Sequence, residues 1–117
     1  MIHWPETLLS CSPNANGAAA AIVCSEDFVK AHGLEAQAIE IRHMSLQTDT
    51  PETFNGNAAD LVGKSMVLRA AKECYEKTGI TPDQVDVCEM HDCFTSNELV
   101  TYEYLGFCGE GKAEEAV

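Results

Sequence analysis

The chain has 117 residues, 45% of them hydrophobic, with nineteen Asp and Glu against seven Lys and Arg and a formal net charge of −12. That length suits one domain, and the apolar share argues against a disordered tail. The acidity excludes nucleic acid and anionic membrane surfaces as partners, because both are held through Lys and Arg.

No stretch approaches the ~20 apolar residues of a membrane-spanning helix. The opening Met1-Ile2-His3-Trp4-Pro5 lacks the basic start and apolar centre of a secretory signal. Cys11, Cys24, Cys74, Cys88, Cys93 and Cys108 are therefore read as free thiols in a reducing compartment, several within apolar segments.

Pro5, Ser10, Ser12, Pro13, Asn14 and Asn16 make the start irregular. Gly17 opens the small apolar run Ala18 to Cys24, whose length and flanks predict a strand buried on both faces. Ser25 follows as a helix N-cap ahead of Glu26 and Asp27, and Gly33 as the stop. A second strand is expected over Ala38 to Leu46, where Ile39 and Ile41 alternate with Glu40 and Arg42.

After a loop rich in Thr, Asp, Asn and Gly, residues Ala58 to Thr78 carry a helical pattern. Val62, Met66, Ala70 and Cys74 form one stripe, and Leu61, Leu68, Ala71 and Tyr75 its neighbour. Gly79 closes this helix and Pro82 prevents its resumption. Val85 to Met90 reads as a third strand, and Thr95-Ser96-Asn97-Glu98 as a capping box before a last helix ending at Gly106. The alternation of strand and helix predicts an α/β layered fold.

His91-Asp92-Cys93-Phe94 stands between the third strand and the last helix. Ligands bind at such places in open α/β sheets, where loops converge and helix N-termini offer free N–H groups. A His and a thiol two residues apart can supply a proton donor and a base. From the residues alone a packing role for Cys93 outweighs that reading. A zinc site built on Cys88, His91 and Cys93 with Cys108 ranks below it, because no Cys-x-x-Cys knuckle is present. His32 and His43 read as surface residues, Met44 and Met66 as core fillers, and Glu98 as the capping partner of Thr95.

The string Glu89-Met90-His91-Asp92-Cys93-Phe94-Thr95-Ser96-Asn97-Glu98-Leu99, then Thr101 to Gly106, resembles the fingerprint of the sterol carrier protein X type of the thiolase superfamily. Ordinary thiolases carry Asn-Glu-Ala-Phe there, and this subfamily His-Asp-Cys-Phe. Asn16-Gly17-Ala18-Ala19-Ala20-Ala21 is similar to a second thiolase signature, with Asn16 in place of its Asp, and Cys74 to Gly79 with Thr81-Pro82 also matches.

The resemblance implies a partial thiolase-like layered fold, residues 1–34 ending an N-terminal domain and residues 35–117 beginning a C-terminal one. It implies acyl-CoA acyltransferase chemistry that cleaves 3-ketoacyl-CoA thioesters in peroxisomal fatty acid or sterol side-chain oxidation. Coenzyme A enters as a substrate thioester, with no bound cofactor and no metal, and the full-length parent is expected to be a homodimer. By similarity His91 would help form an oxyanion site, and Cys93 would serve as acid and base at the α-carbon. The nucleophile box and the Gly-His-Pro box are not found, so the chain is expected to be incomplete for catalysis. The alternative is a non-catalytic remnant of the fold that binds lipid or a thiolase subunit.

Overall fold

The computed structural model describes residues 1–116, which fall into two compact units, Pro13–Arg42 and the remainder, Met1–Ser12 with His43 onward. In the smaller unit the only helix is α1, Glu26–Ala31. The Ser25 side chain accepts a hydrogen bond from the Phe28 N–H at 3.2 Å, and Glu26 and Asp27 occupy the first turn, as the sequence predicts. Beyond Ala31 the chain turns through Gly33 at φ +62°. His32 stacks on Phe28, ring centroids 4.0 Å apart, and its Nδ1 donates to the Phe28 carbonyl at 2.9 Å.

The larger unit is built on α2 (Ala58–Leu61), α3 (Lys64–Thr78) and α4 (Thr95–Tyr104). The sequence expects one helix from Ala58 to Thr78, and the structure divides it at Gly63, which sits at φ +98°. A left-handed residue cannot continue a right-handed helix, so the axis restarts at Lys64. At the far end Gly79 is left-handed at φ +71°, and its N–H closes the last turn on the Tyr75 carbonyl. The Tyr75 hydroxyl donates to the Leu105 carbonyl at 2.6 Å, tying α3 to the end of α4. Lys64 pairs with Glu110 at 3.1 Å and lies over the Tyr104 ring.

None of the three expected strands forms a ladder; among the described residues the only pairings are the isolated bridges His3–Glu6 and Cys11–Phe94. The physical reason is that a strand satisfies its backbone through a neighbour, and these segments have none to pair with. Ala18 to Cys24, expected to be buried on both faces, leaves Ile22 95% exposed. Residues 85–90 run without helix or ladder between the Pro82–Gln84 turn and α4.

The core of the larger unit is correspondingly thin. Among the described residues the only buried apolar side chains are Ala71 of α3 and Ala113 of the closing helical turn. Met44, expected as a core filler, is instead 78% exposed, whereas Met66 is half-buried.

A Cβ added at Gly79 meets no atom within 4 Å, so its cost is backbone strain alone. Gly79→Ala is expected to lower unfolding stability by about 1 kcal/mol. At Gly106, φ +80°, a Cβ also comes within 3.1 Å of the Pro82 ring, so Gly106→Ala is expected to cost more. Urea denaturation of the two variants beside the wild type checks the order.

Candidate functional site

The residues singled out by the sequence sit where the 85–92 segment, which joins no ladder, turns into α4. His91 is exposed and Cys93 half-buried, and among the described residues no hydrogen bond joins their side chains. The turn is held by its backbone. Asn97 Nδ2 donates to the His91 carbonyl at 2.7 Å, and the Ser12 N–H donates to the Cys93 carbonyl at 3.0 Å, beside the Cys11–Phe94 bridge.

The expected capping box is not made. The N-cap of α4 is Phe94, with no side-chain cap, and Glu98 accepts a hydrogen bond from the Tyr102 hydroxyl one turn along. Thr95 Oγ1 donates instead to Glu6 Oε2 at 3.3 Å, and the Ser96 N–H to Glu6 Oε1 at 3.2 Å. A carboxylate from the N-terminal segment thus takes the place of the local cap, where free N–H groups and the helix dipole favour negative charge. Hydrogen bonds from Ser96 foremost, then from Thr95 and Ser10, hold the Glu6 carboxyl below the usual range against the opposing effect of burial.

A cavity of about 430 Å3 lies next to this turn in sequence but does not include His91 or Cys93. Val85, Val87, Cys88, Tyr102 and Phe107 line it, with Asp83 and Asp86 at its polar side. Burial, with Glu89 adding to it, pushes the Cys88 thiol up, which keeps it protonated and weakly nucleophilic. Among the described residues no three or more His, Cys, Asp or Glu side chains converge in a way that would hold a metal ion.

The best-connected polar cluster is one that sequence reasoning missed. Glu73 of α3 accepts from Ser45 Oγ at 2.6 Å, Gln47 Nε2 at 2.7 Å and His43 Nε2 at 3.2 Å. Arg69, one turn earlier, donates to Gln47 Oε1 at 3.3 Å and to the Thr48 carbonyl at 2.7 Å. His43 is therefore a half-buried partner of Glu73 rather than a free surface residue. His43, Ser45 and Gln47 alternate along the chain, a period-2 row that an extended segment turns to one side. The same alternation is legible in the sequence, with Met44 and Leu46 between the polar residues.

The Ser45 hydrogen bond first, then His43, and finally Gln47 hold the Glu73 carboxyl below its ordinary value. The folded-state value lies below the unfolded one, so this contribution to stability is complete above the unfolded value of about 4.3 and is lost as pH falls through the folded value. Wild type is expected to exceed Glu73→Gln in unfolding stability at pH 7, with the difference closing below pH ~4. Parallel denaturation curves across that range read it directly.

The sequence profile of the family described as Thiolase C-terminal domain-like matches residues 48–117. The chain is 54% identical over 108 residues to Sterol carrier protein 2 of Gallus gallus, covering 92% of this chain and 20% of that protein. It is 44% identical to Non-specific lipid-transfer protein-like 2 of Caenorhabditis elegans, over 94% of this chain and 27% of that one. It is 36% identical to Acetyl-CoA acetyltransferase of Methanocaldococcus jannaschii, over 97% of this chain and 28% of that one. The chain thus spans between a fifth and somewhat more than a quarter of these relatives. The profile takes in α2, α3, the His91–Phe94 turn and α4, and on that match the chain belongs to the thiolase C-terminal domain-like family.

Proposed function

We propose that this chain acts as a binding segment of the thiolase fold, not catalytic by itself, which takes an apolar partner: the acyl part of a lipid or the matching face of a thiolase subunit. The carrying observation is the surface. Ile2, Leu8, Leu9 and Leu46 are each largely exposed in the larger unit, while only two apolar side chains are buried among the described residues. That apolar exposure, set against so thin a core, supports the presence of an apolar partner. The segment 86–90, which joins no ladder, offers backbone N–H and C=O groups to a second chain in the manner of strand addition. Such pairing would restore the layered strand-and-helix arrangement expected from the sequence. The relatives named for sterol carriage and lipid transfer support the lipid arm.

A second reading has its own support. His91 and Cys93 share one turn at the start of α4, in a family that includes a relative named as an acetyl-CoA acetyltransferase. In this reading the chain supplies one wall of an acyl-CoA site. His91 binds the enolate oxygen released when a 3-ketoacyl-CoA is cleaved, and Cys93 transfers the proton at the α-carbon. The nucleophile comes from another part of the fold, residues 1–34 and 35–117 belong to successive domains, and the assembly is a peroxisomal homodimer.

Equilibrium dialysis against palmitoyl-CoA, together with gel filtration beside a purified thiolase, separates the two arms of the first reading. Uptake of the thioester or co-elution is expected. A chain that stays monodisperse, takes up no acyl chain and leaves the thiolase peak unmoved sinks it. Acetoacetyl-CoA cleavage by the isolated chain is expected to be absent; turnover that disappears in Cys93→Ser would overturn the non-catalytic assignment.

A further inference from the structure

We propose that Met1–Ser12 forms a strap over the His91–Phe94 turn, latched by the Glu6 carboxylate at the start of α4, and that opening the latch uncovers Cys93. This goes beyond the binding role and holds whichever ligand the turn serves. Two sets of contacts, about five residues apart along the strap, support it. At one, Glu6 receives the Ser96 N–H and the Thr95 hydroxyl at 3.2 and 3.3 Å. At the other, the Ser12 N–H reaches the Cys93 carbonyl at 3.0 Å, and Cys11 bridges to Phe94. The strap is also folded on itself by local bonds. Ile2 and Glu6 close a turn on each other, Thr7 and Ser10 bond through their side chains, and Cys11 Sγ donates to the Thr7 carbonyl.

The chemistry explains why the latch is separable from the helix. The α4 cap position is Phe94, which has no polar side chain, so the first turn of α4 leaves N–H groups open. Glu6 fills that vacancy from a distance of ninety residues in sequence, through an exposed contact rather than a buried one. A contact of that kind is modest in strength and opens without unfolding the helices beneath it. Leu8 and Leu9 lie exposed and add no packing, so beyond Glu6 the strap is held by the Ser12 and Cys11 backbone contacts. Release would carry Ser12 away from Cys93 and leave the turn held from α4, by Asn97 and the Glu98 N–H.

The test is the rate at which iodoacetamide alkylates each cysteine of the full chain, read by peptide mass. Cys24, already exposed in the other unit, is the internal reference. In Glu6→Ala the Cys93 rate is expected to rise about threefold or more with Cys24 unchanged. Ser96→Pro approaches the same latch from the other side, removing one N–H in the first helical turn, where proline is tolerated. It is expected to give a similar rise, and adding Glu6→Ala to it is expected to add little. An unchanged Cys93 rate in both variants overturns the proposal, as do effects that simply add in the double variant. Should Glu6→Ala lose helical circular dichroism, Ser96→Pro alone decides by the same criterion.

Discussion

A helix closes its N–H to C=O bonds within its own length, whereas a strand borrows them from a neighbour, and that asymmetry governs the whole chain. α1, α3 and α4 form because all but the end groups of their backbones bond within the helix, and the ends need only a cap such as Ser25 or Glu6. The segments 18–24 and 85–90 carry apolar, extended-type sequence and still form no ladder, because no second edge lies beside them. The thin core follows from the same cause. A strand buries side chains only when a sheet brings other layers against it, and without a sheet the apolar residues of these segments stay at the surface.

Where no ladder is available, side chains take over the work of holding extended backbone in place. Glu73 receives three donors from the 43–47 segment, and Arg69 grips the same segment at Gln47 and at the Thr48 carbonyl. Charge-assisted bonds of this kind are stronger than neutral ones, so one carboxylate on a rigid helix serves as an anchor. Glu6 plays a related part at α4, with the roles reversed: the carboxylate lies on the N-terminal segment and the donors on the helix. Both devices join a helix to a stretch of chain that carries no ladder.

The helices and their ends were legible because their signals are local. Ser25 caps α1 from three residues away, and Gly79 stops α3 within its own turn. Gly63 was missed because a glycine inside an apolar stripe is compatible with a continuous helix, and only its φ of +98° separates the two cases. Thr95-x-x-Glu98 fits a capping box equally well in sequence, but Glu6, ninety residues away, supplies the competing acceptor. His91 and Cys93 precede α4, but the strand and the capping box expected on either side of them do not form, while the Glu73 cluster needs residues about thirty positions apart to meet. Long-range pairing of polar groups is what a single sequence hides.

The alternation at residues 43–47 has an outward side as well. With His43, Ser45 and Gln47 turned to α3, Met44 and Leu46 stand out together, Leu46 at 92% exposure. The grip of Glu73 fixes that register, since a slip of one residue would exchange the two rows. The molecule therefore displays a short greasy ribbon on a body whose charge is −12. Like charge keeps such ribbons apart in dilute buffer, and the screening distance shrinks from roughly 30 Å at 0.01 M salt to about 3 Å at 1 M. Ionic strength thus sets how far the charge repulsion of the body reaches beyond that ribbon.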